Sequence, residues 1–133
     1  MSLEIVNPDD LGPPRGFNHG MLAPAGGRVL FVAGQAPLDA AGRVSASGLV
    51  DQWDRALARV LAVVAGAGGS AEHITRLTVY VTDLEAYRAG RKRLGEVHRR
   101  HMGRHYPAVT LVQVTALVDE GALVEIEATA VLP

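Results

Sequence analysis

Six strand-like stretches share this chain with only two helical ones, and that ratio limits the fold more than any other feature of the sequence. Glu4–Asn7, Asn18–Leu22, Arg28–Ala33, Ile74–Thr82, Ala108–Val118 and Leu123–Leu132 read as strands. Leu49–Ala65 and a segment from about Leu84 to His101 read as helices. The order is β-β-β-α-β-α-β-β. Two helices cannot cover both faces of such a sheet, so they pack on one face and give an α+β two-layer sandwich. The uncovered face then decides the assembly. On Ala108–Val118, Val109, Leu111 and Leu117 lie on one side, and Thr110, Val112, Val114, Ala116 and Val118 on the other. Both sides are too apolar for a sheet with one face in water. A second copy of the chain over the bare face is the simplest remedy, so the pattern predicts a homo-oligomer.

The individual assignments rest on periodicity and punctuation. Val50, Trp53, Leu57, Val60, Leu61 and Val64 form one apolar helical stripe, with Asp51, Asp54, Arg55 and Arg59 off it. Gly66-Ala67-Gly68-Gly69 ends that helix in a left-handed cap. In Ile74–Thr82, Leu77, Val79 and Val81 alternate with Thr78, Tyr80 and Thr82. Val29–Ala33 is continuously apolar and is expected to be buried on both faces. Ala23-Pro24-Ala25-Gly26-Gly27 joins it to Asn18–Leu22 as a hairpin. Pro8–Pro14 reads as an irregular loop. No linker or repeat interrupts the chain, so residues 1–133 are expected to form a single domain.

Composition removes whole classes of function. No cysteine is present, which excludes a thiol nucleophile, a disulfide scaffold and cysteine-ligated metal. Thirteen Lys and Arg against fourteen Asp and Glu give a net charge of −1, so overall charge implies no nucleic acid partner. The longest apolar run, Ala56–Gly69, is shorter than the ~20 residues of a membrane span. The N-terminus lacks a basic segment followed by an apolar one. The expected setting is cytoplasmic, without a membrane partner.

Candidate chemistry centres on few residues. Glu125 and Glu127 share one face of a strand, and buried carboxylates there need a partner or a task. Tyr87, Arg91, Leu94, His98 and His101 recur at helical spacing, so this face is expected to pack inward. An inward Arg91 requires Glu125, Glu127 or an anionic ligand. His98, His101 and His105 have metal-ligand spacing, but Arg99, Arg100 and Arg104 surround them with positive charge, and no metal is expected. Arg88, Arg91, Lys92, Arg93, Arg99, Arg100 and Arg104 face a single acid, Glu96. This stretch lacks the interleaved aromatics of a single-strand binding surface and reads as a solvated helix face. No Gly-x-Ser-x-Gly elbow or phosphate-binding glycine loop is present.

Four stretches carry a resemblance to a known family. Val29–Asp39, with Ala33-Gly34-Gln35-Ala36-Pro37, resembles the strand and SGQ(I/A)P signature of the RidA/YjgF (reactive intermediate deaminase, or Rid) family. Thr78–Leu84, Tyr106-Pro107-Ala108 and Gly121–Ala128 resemble three further segments of that family, in order, over about residues 15–131. The resemblance implies a chorismate-mutase-like fold, a homotrimer with ligand sites in the clefts between subunits, hydrolysis of enamine or imine metabolites, and no cofactor. It places a ligand cleft at Phe17, His19, Ala33, Gly34, Tyr87, Arg91, Val109 and Thr110, and a water-orienting carboxylate at Glu125. The family's substrate-binding arginine falls on Val109, its tyrosine on Phe17, its serine on Ala33 and a further acid on Gln113. A substrate carboxylate therefore loses its main partner, and ordinary imino-acid deamination is not expected. Arg91 is expected to replace part of the lost charge from the helix side, leaving a carboxylate as the ligand to be tested. Three functional readings follow: a Rid-type hydrolase of another C=N compound, a ligand-binding or regulatory trimer without turnover, and, with least support, an RNA-acting protein of the endoribonuclease or translation-inhibitor type.

Overall fold

The computed structural model describes residues 2–133; Met1 lies outside them. Its elements are β1 (Glu4–Val6), β2 (Gly20–Leu22), β3 (Arg28–Gln35), α1 (Leu49–Gly66), β4 (Ile74–Val81), α2 (Leu84–Ala89), α3 (Arg91–Met102), β5 (Ala108–Gln113) and β6 (Val124–Leu132). Four strands make a mixed sheet in the order β3-β6-β4-β5, with β4 and β5 parallel and the other pairs antiparallel. The helices lie on one face, giving the two-layer α+β arrangement.

α1 forms where the apolar stripe predicts it. Ala56, Leu57, Val60 and Val64 are fully buried against Val79, Val124, Ile126 and Ala130. The helix stops because Gly68 takes a positive φ and the Gly69 N–H donates back to the Val64 carbonyl. The buried polar side chain on the stripe, Gln52, is fully used. Its amide donates to the Gly121 and Ala46 carbonyls, and its oxygen accepts the Leu123 N–H at 2.6 Å. It thus fastens α1 to the segment that leads into β6.

The second helical stretch is two helices rather than one. Asp83 caps α2 by accepting the Glu85 and Ala86 N–H groups. Gly90 then leaves the helical path with its N–H shared between the Ala86 and Tyr87 carbonyls. A Cβ at Gly90 would crowd the Ala86 carbonyl at 3.2 Å and come within ordinary contact of Val50 of α1.

The N-terminal hairpin forms with a different partner. β2 pairs with β1 in a separate two-stranded ribbon, not with β3. Asn18 holds the ribbon on the turn between α3 and β5: its N–H donates to the Pro107 carbonyl and its side-chain amide to the Tyr106 carbonyl. Asn7 donates to the Asn18 side chain and accepts the His19 N–H. Gly27 meanwhile sits against Val131 where β3 is already paired with β6, so the two arms part at that turn. The proline-rich loop also holds one short 3-10 turn, Asp9–Leu11.

β3 is an edge strand, which corrects the expectation that it is buried on both faces. Val32 is buried toward the helices, while Val29 and Phe31 on the other face are 54% and 80% exposed. That open face is mixed in character. Val29, Phe31 and Val112 are apolar and exposed, whereas Thr78, Tyr80, Thr110, Glu125 and Glu127 lie between them by register.

Candidate functional site

Two concave or open regions carry the predicted residues, and the sheet separates them. The first is a cleft of about 420 Å³ on the helix side, between α3, α1 and the sheet. Leu77, Val79, Val109, Leu111 and Ile126 form its floor, a continuous apolar surface contributed by β4, β5 and β6. Its walls are aromatic. Trp53 of α1 stacks on Tyr87 of α2 with ring centroids 5.9 Å apart, and His98 of α3 stacks on Tyr106 at 4.8 Å. Phe17 enters from the N-terminal ribbon, which the Asn18 hydrogen bonds fix in place. Arg15, Arg91 and Arg99 also border the cleft, all exposed. No Asp or Glu lines it.

Burial lowers the pKa of His98 below the ordinary imidazole value, so its ring is neutral near pH 7. Its Nε2–H donates to the His105 carbonyl at 2.9 Å. The two imidazoles near it in sequence, His101 on α3 and His105 in the turn after it, are engaged elsewhere. His101 donates to Asp54, and His105 donates to the Ile74 carbonyl. The hydrogen bond from His101, assisted by the Arg100 charge, holds the Asp54 carboxyl below its usual range.

The second region lies on the open sheet face. Between Val32 and Gln35 the pairing of β3 with β6 slips, placing a bulge at Ala33-Gly34. Bulges re-aim local groups and recur beside active sites. The Glu125 side chain lies directly over Gly34: a Cβ there would overlap its Oε2 and sit 2.9 Å from its Cδ. Arg59 steadies the end of the bulge by donating to Gln35. One register further along β6, the Tyr80 hydroxyl donates to Glu127 at 2.8 Å, and that bond raises the tyrosine pKa.

The predicted site residues therefore fall into two groups. Phe17, Tyr87, Arg91 and Val109 line the cleft. Ala33, Gly34 and Glu125 meet at the bulge. Thr110 shares the face of Glu125 but stands on β5, two strands (~10 Å) away. His19 does not line the cleft; it packs edge-to-face on Phe17 and donates to the Gly12 carbonyl. Within one chain Val109 and Glu125 lie on opposite sides of the sheet. Arg91 departs from expectation: it is exposed at the cleft border rather than buried, and Glu125 and Glu127 are on the far face. No carboxylate among the described residues pairs with it. The cleft floor is neutral and apolar, and Arg91 does not restore a charge there. Trp53 and Tyr106 were missed as site residues. Trp53 reads as core because it belongs to the apolar stripe of α1, and only its place in the cleft wall, stacked on Tyr87, reveals a second role. Gln113, where the resemblance places an acid, accepts the Leu84 N–H at the start of α2.

An α+β sandwich with a bulged edge strand, an open sheet face and an aromatic cleft under its helices defines a protein of the Rid type. The chain belongs to this family: the family model for endoribonuclease L-PSP matches residues 10–132. Among its relatives, the protein DfrA of Myxococcus xanthus is 38% identical over 106 residues, 79% of this chain and 77% of that one. TdcF of Escherichia coli, whose name includes "reactive intermediate deaminase", is 35% identical over 109 residues, 79% of this chain and 80% of that one. The crystal structure of YyfB from Yersinia pestis, described as a Rid family protein of unknown function, superposes with a TM-score of 0.86 at 30% identity and covers 99% of this chain and 100% of that one. A crystal structure of TdcF with bound serine gives a TM-score of 0.68 at 30% identity, with 100% and 99% covered. No helix among the described residues is long and apolar enough to cross a membrane.

Proposed function

We propose that this chain acts as a homotrimer whose small-molecule sites lie between subunits, and that it hydrolyses a carbon–nitrogen double bond. The observation that carries the reading is the division of the site. The cleft has binding surface without a carboxylate, and the bulge has a carboxylate without a cavity. A second copy laid on the open face, where Phe31 is 80% exposed, brings the Glu125 edge of one subunit to the cleft of the next. The name of TdcF supports the reaction class.

In that arrangement Glu125 accepts a proton from water as the oxygen attacks the C=N carbon. That proton passes to the nitrogen, giving a carbinolamine; transfer of its hydroxyl proton to the nitrogen through Glu125 then breaks the C–N bond, and the products are a carbonyl compound and ammonia or an amine. The neutral floor at Val109 offers nothing to the carboxylate of a short 2-imino acid. A hydrogen bond to a charged group contributes ~1.5–3 kcal/mol, so its loss costs such substrates ~10- to 150-fold. The same residue favours a second reading, a trimer that binds its ligand without turnover.

The two are separated by generating a panel of imines in situ, from amino acids with an amino-acid oxidase and from amines with an amine oxidase, and trapping them with semicarbazide. Hydrolysis in competition with trapping, lost in Glu125→Gln, supports the catalytic reading. Equal hydrolysis by wild type and Glu125→Gln removes Glu125 from the mechanism. Binding without acceleration across the panel selects the ligand-binding trimer.

A further inference from the structure

We infer that the helix-side cleft takes an organic acid with an aromatic or branched apolar body, seated body-inward with its acid group at the arginine border. The inference deepens the proposed function, because it rests on this cleft being the ligand site.

Three observations carry it. First, polarity is segregated by depth. The floor is Leu77, Val79, Val109, Leu111 and Ile126, where a charge would be left without a partner. Cationic side chains stand only at exposed positions, Arg15, Arg91 and Arg99, and no carboxylate of the same chain lines the cleft; these three cations outnumber the single Glu125 that the proposed assembly adds. An anion is favoured at the border and an apolar group at the base.

Second, the walls suit a flat or bulky group. The stacked Trp53–Tyr87 and His98–Tyr106 pairs present four rings. Aromatic groups gain from offset or edge-to-face contact with such rings beyond simple burial. The volume of about 420 Å³ lies within the range of small-molecule sites.

Third, α3 keeps a glycine that its packing does not explain. Gly95 lies mid-helix on the cleft side with Arg91, His98 and Arg99, and a Cβ built there meets nothing within 4 Å. A helix-interior glycine is unfavourable relative to alanine. With no neighbour demanding its small size, the space it leaves is part of the cleft.

Magnitudes order the two ends of the ligand. Exposed ion pairs are weak and change affinity only a few-fold each. Burying a ring on an apolar floor is worth ~10- to 150-fold. The body therefore provides most of the affinity, and the acid sets orientation.

Binding is read by calorimetry and by the fluorescence of Trp53, the single tryptophan of the chain. The probes are 3-phenylpropanoate, its neutral amide and acetate. The expected result is saturable binding of 3-phenylpropanoate, acetate at least ~10-fold weaker, and the amide ~3- to 10-fold weaker with that difference shrinking in high salt. Gly95→Leu should abolish binding while its thermal midpoint does not fall, since leucine is the better helix former. Arg91→Ala and Arg99→Ala together should bring the acid down to the affinity of the amide. Acetate binding as well as 3-phenylpropanoate, the amide binding as well as the acid, no binding of 3-phenylpropanoate, or a folded Gly95→Leu that binds normally would each overturn the inference. Imine hydrolysis that survives such a result leaves the proposed reaction standing with another ligand class. Tight binding without hydrolysis does the reverse.

Discussion

Gly34→Ala tests the pairing of bulge and carboxylate with a single methyl group. An alanine Cβ would overlap Glu125 Oε2 and stand 2.9 Å from its Cδ and 3.1 Å from its Cγ, so the glutamate must move. What yields is the end of a half-buried side chain on an open face, not backbone or packed core. An off-rotamer glutamate costs ~0.5–1.5 kcal/mol. The loss of unfolded-state freedom on replacing glycine returns ~0.4–1 kcal/mol, and Gly34 does not have the positive φ that would penalise alanine. The net change in stability is therefore within ~1 kcal/mol, a shift of less than ~8 °C in thermal midpoint. The carboxylate, however, is displaced by about an ångström, and misplacement on that scale costs ~100-fold in rate. Calorimetry for the midpoint and the trapping assay for hydrolysis measure the two effects separately. Gly34→Ala should lose as much activity as Glu125→Gln, and the double variant should lose no more than either, because both remove one function. Full activity in Gly34→Ala would refute the argument. So would a fall of more than 10 °C in midpoint, which would make the glycine a backbone requirement.

Other consequences follow from single contacts. Gly27→Ala drives a Cβ into Val131, which is buried in the sheet, and should cost ~1–3 kcal/mol in urea unfolding, in contrast to Gly34→Ala. Gln52→Leu leaves the Gly121 carbonyl and the Leu123 N–H without their partner and should destabilise by more than ~2 kcal/mol by the same measurement. Burial lowers the folded-state pKa of His98, so the folded chain binds fewer protons than the unfolded one below about pH 6.5; stability should fall as pH drops through that window, and His98→Phe should flatten the slope. The depressed pKa of Asp54 adds a second loss below its ordinary value of 3.8, which Asp54→Asn should remove.

The parts of this fold that were legible are those set by local period. The α1 stripe and the alternation of β4 specify their own burial, and strand parity alone sends Val109 and Thr110 to opposite faces. What was not legible depends on partners distant in sequence. Val29–Ala33 is apolar throughout, and periodicity cannot say that only Leu30 and Val32 meet the helices. The hairpin signal before β3 was sound as a turn, but the hydrogen bonds of Asn18 to Tyr106 and Pro107 draw β2 away. The helix break at Gly90 is a glycine among good helix formers, readable only from the backbone that crowds its Cα, where a side chain would meet the Ala86 carbonyl. Arg91 fits the inward stripe by spacing, yet a long side chain on the first residue of α3 reaches water. The site itself was found by motif residues, but their division between two faces follows from the register that sets Glu125 opposite Tyr80 and Tyr80 opposite Val112.

The central claim is that one copy of the chain holds only half of each site. Sedimentation equilibrium at micromolar concentrations tests it most directly. The account predicts one species of about 42 kDa, three times the 14.0 kDa chain, unchanged over a tenfold dilution. A stable mass of 14.0 kDa would leave Phe31 and Val29 facing water and Glu125 apart from any cleft, and would contradict it.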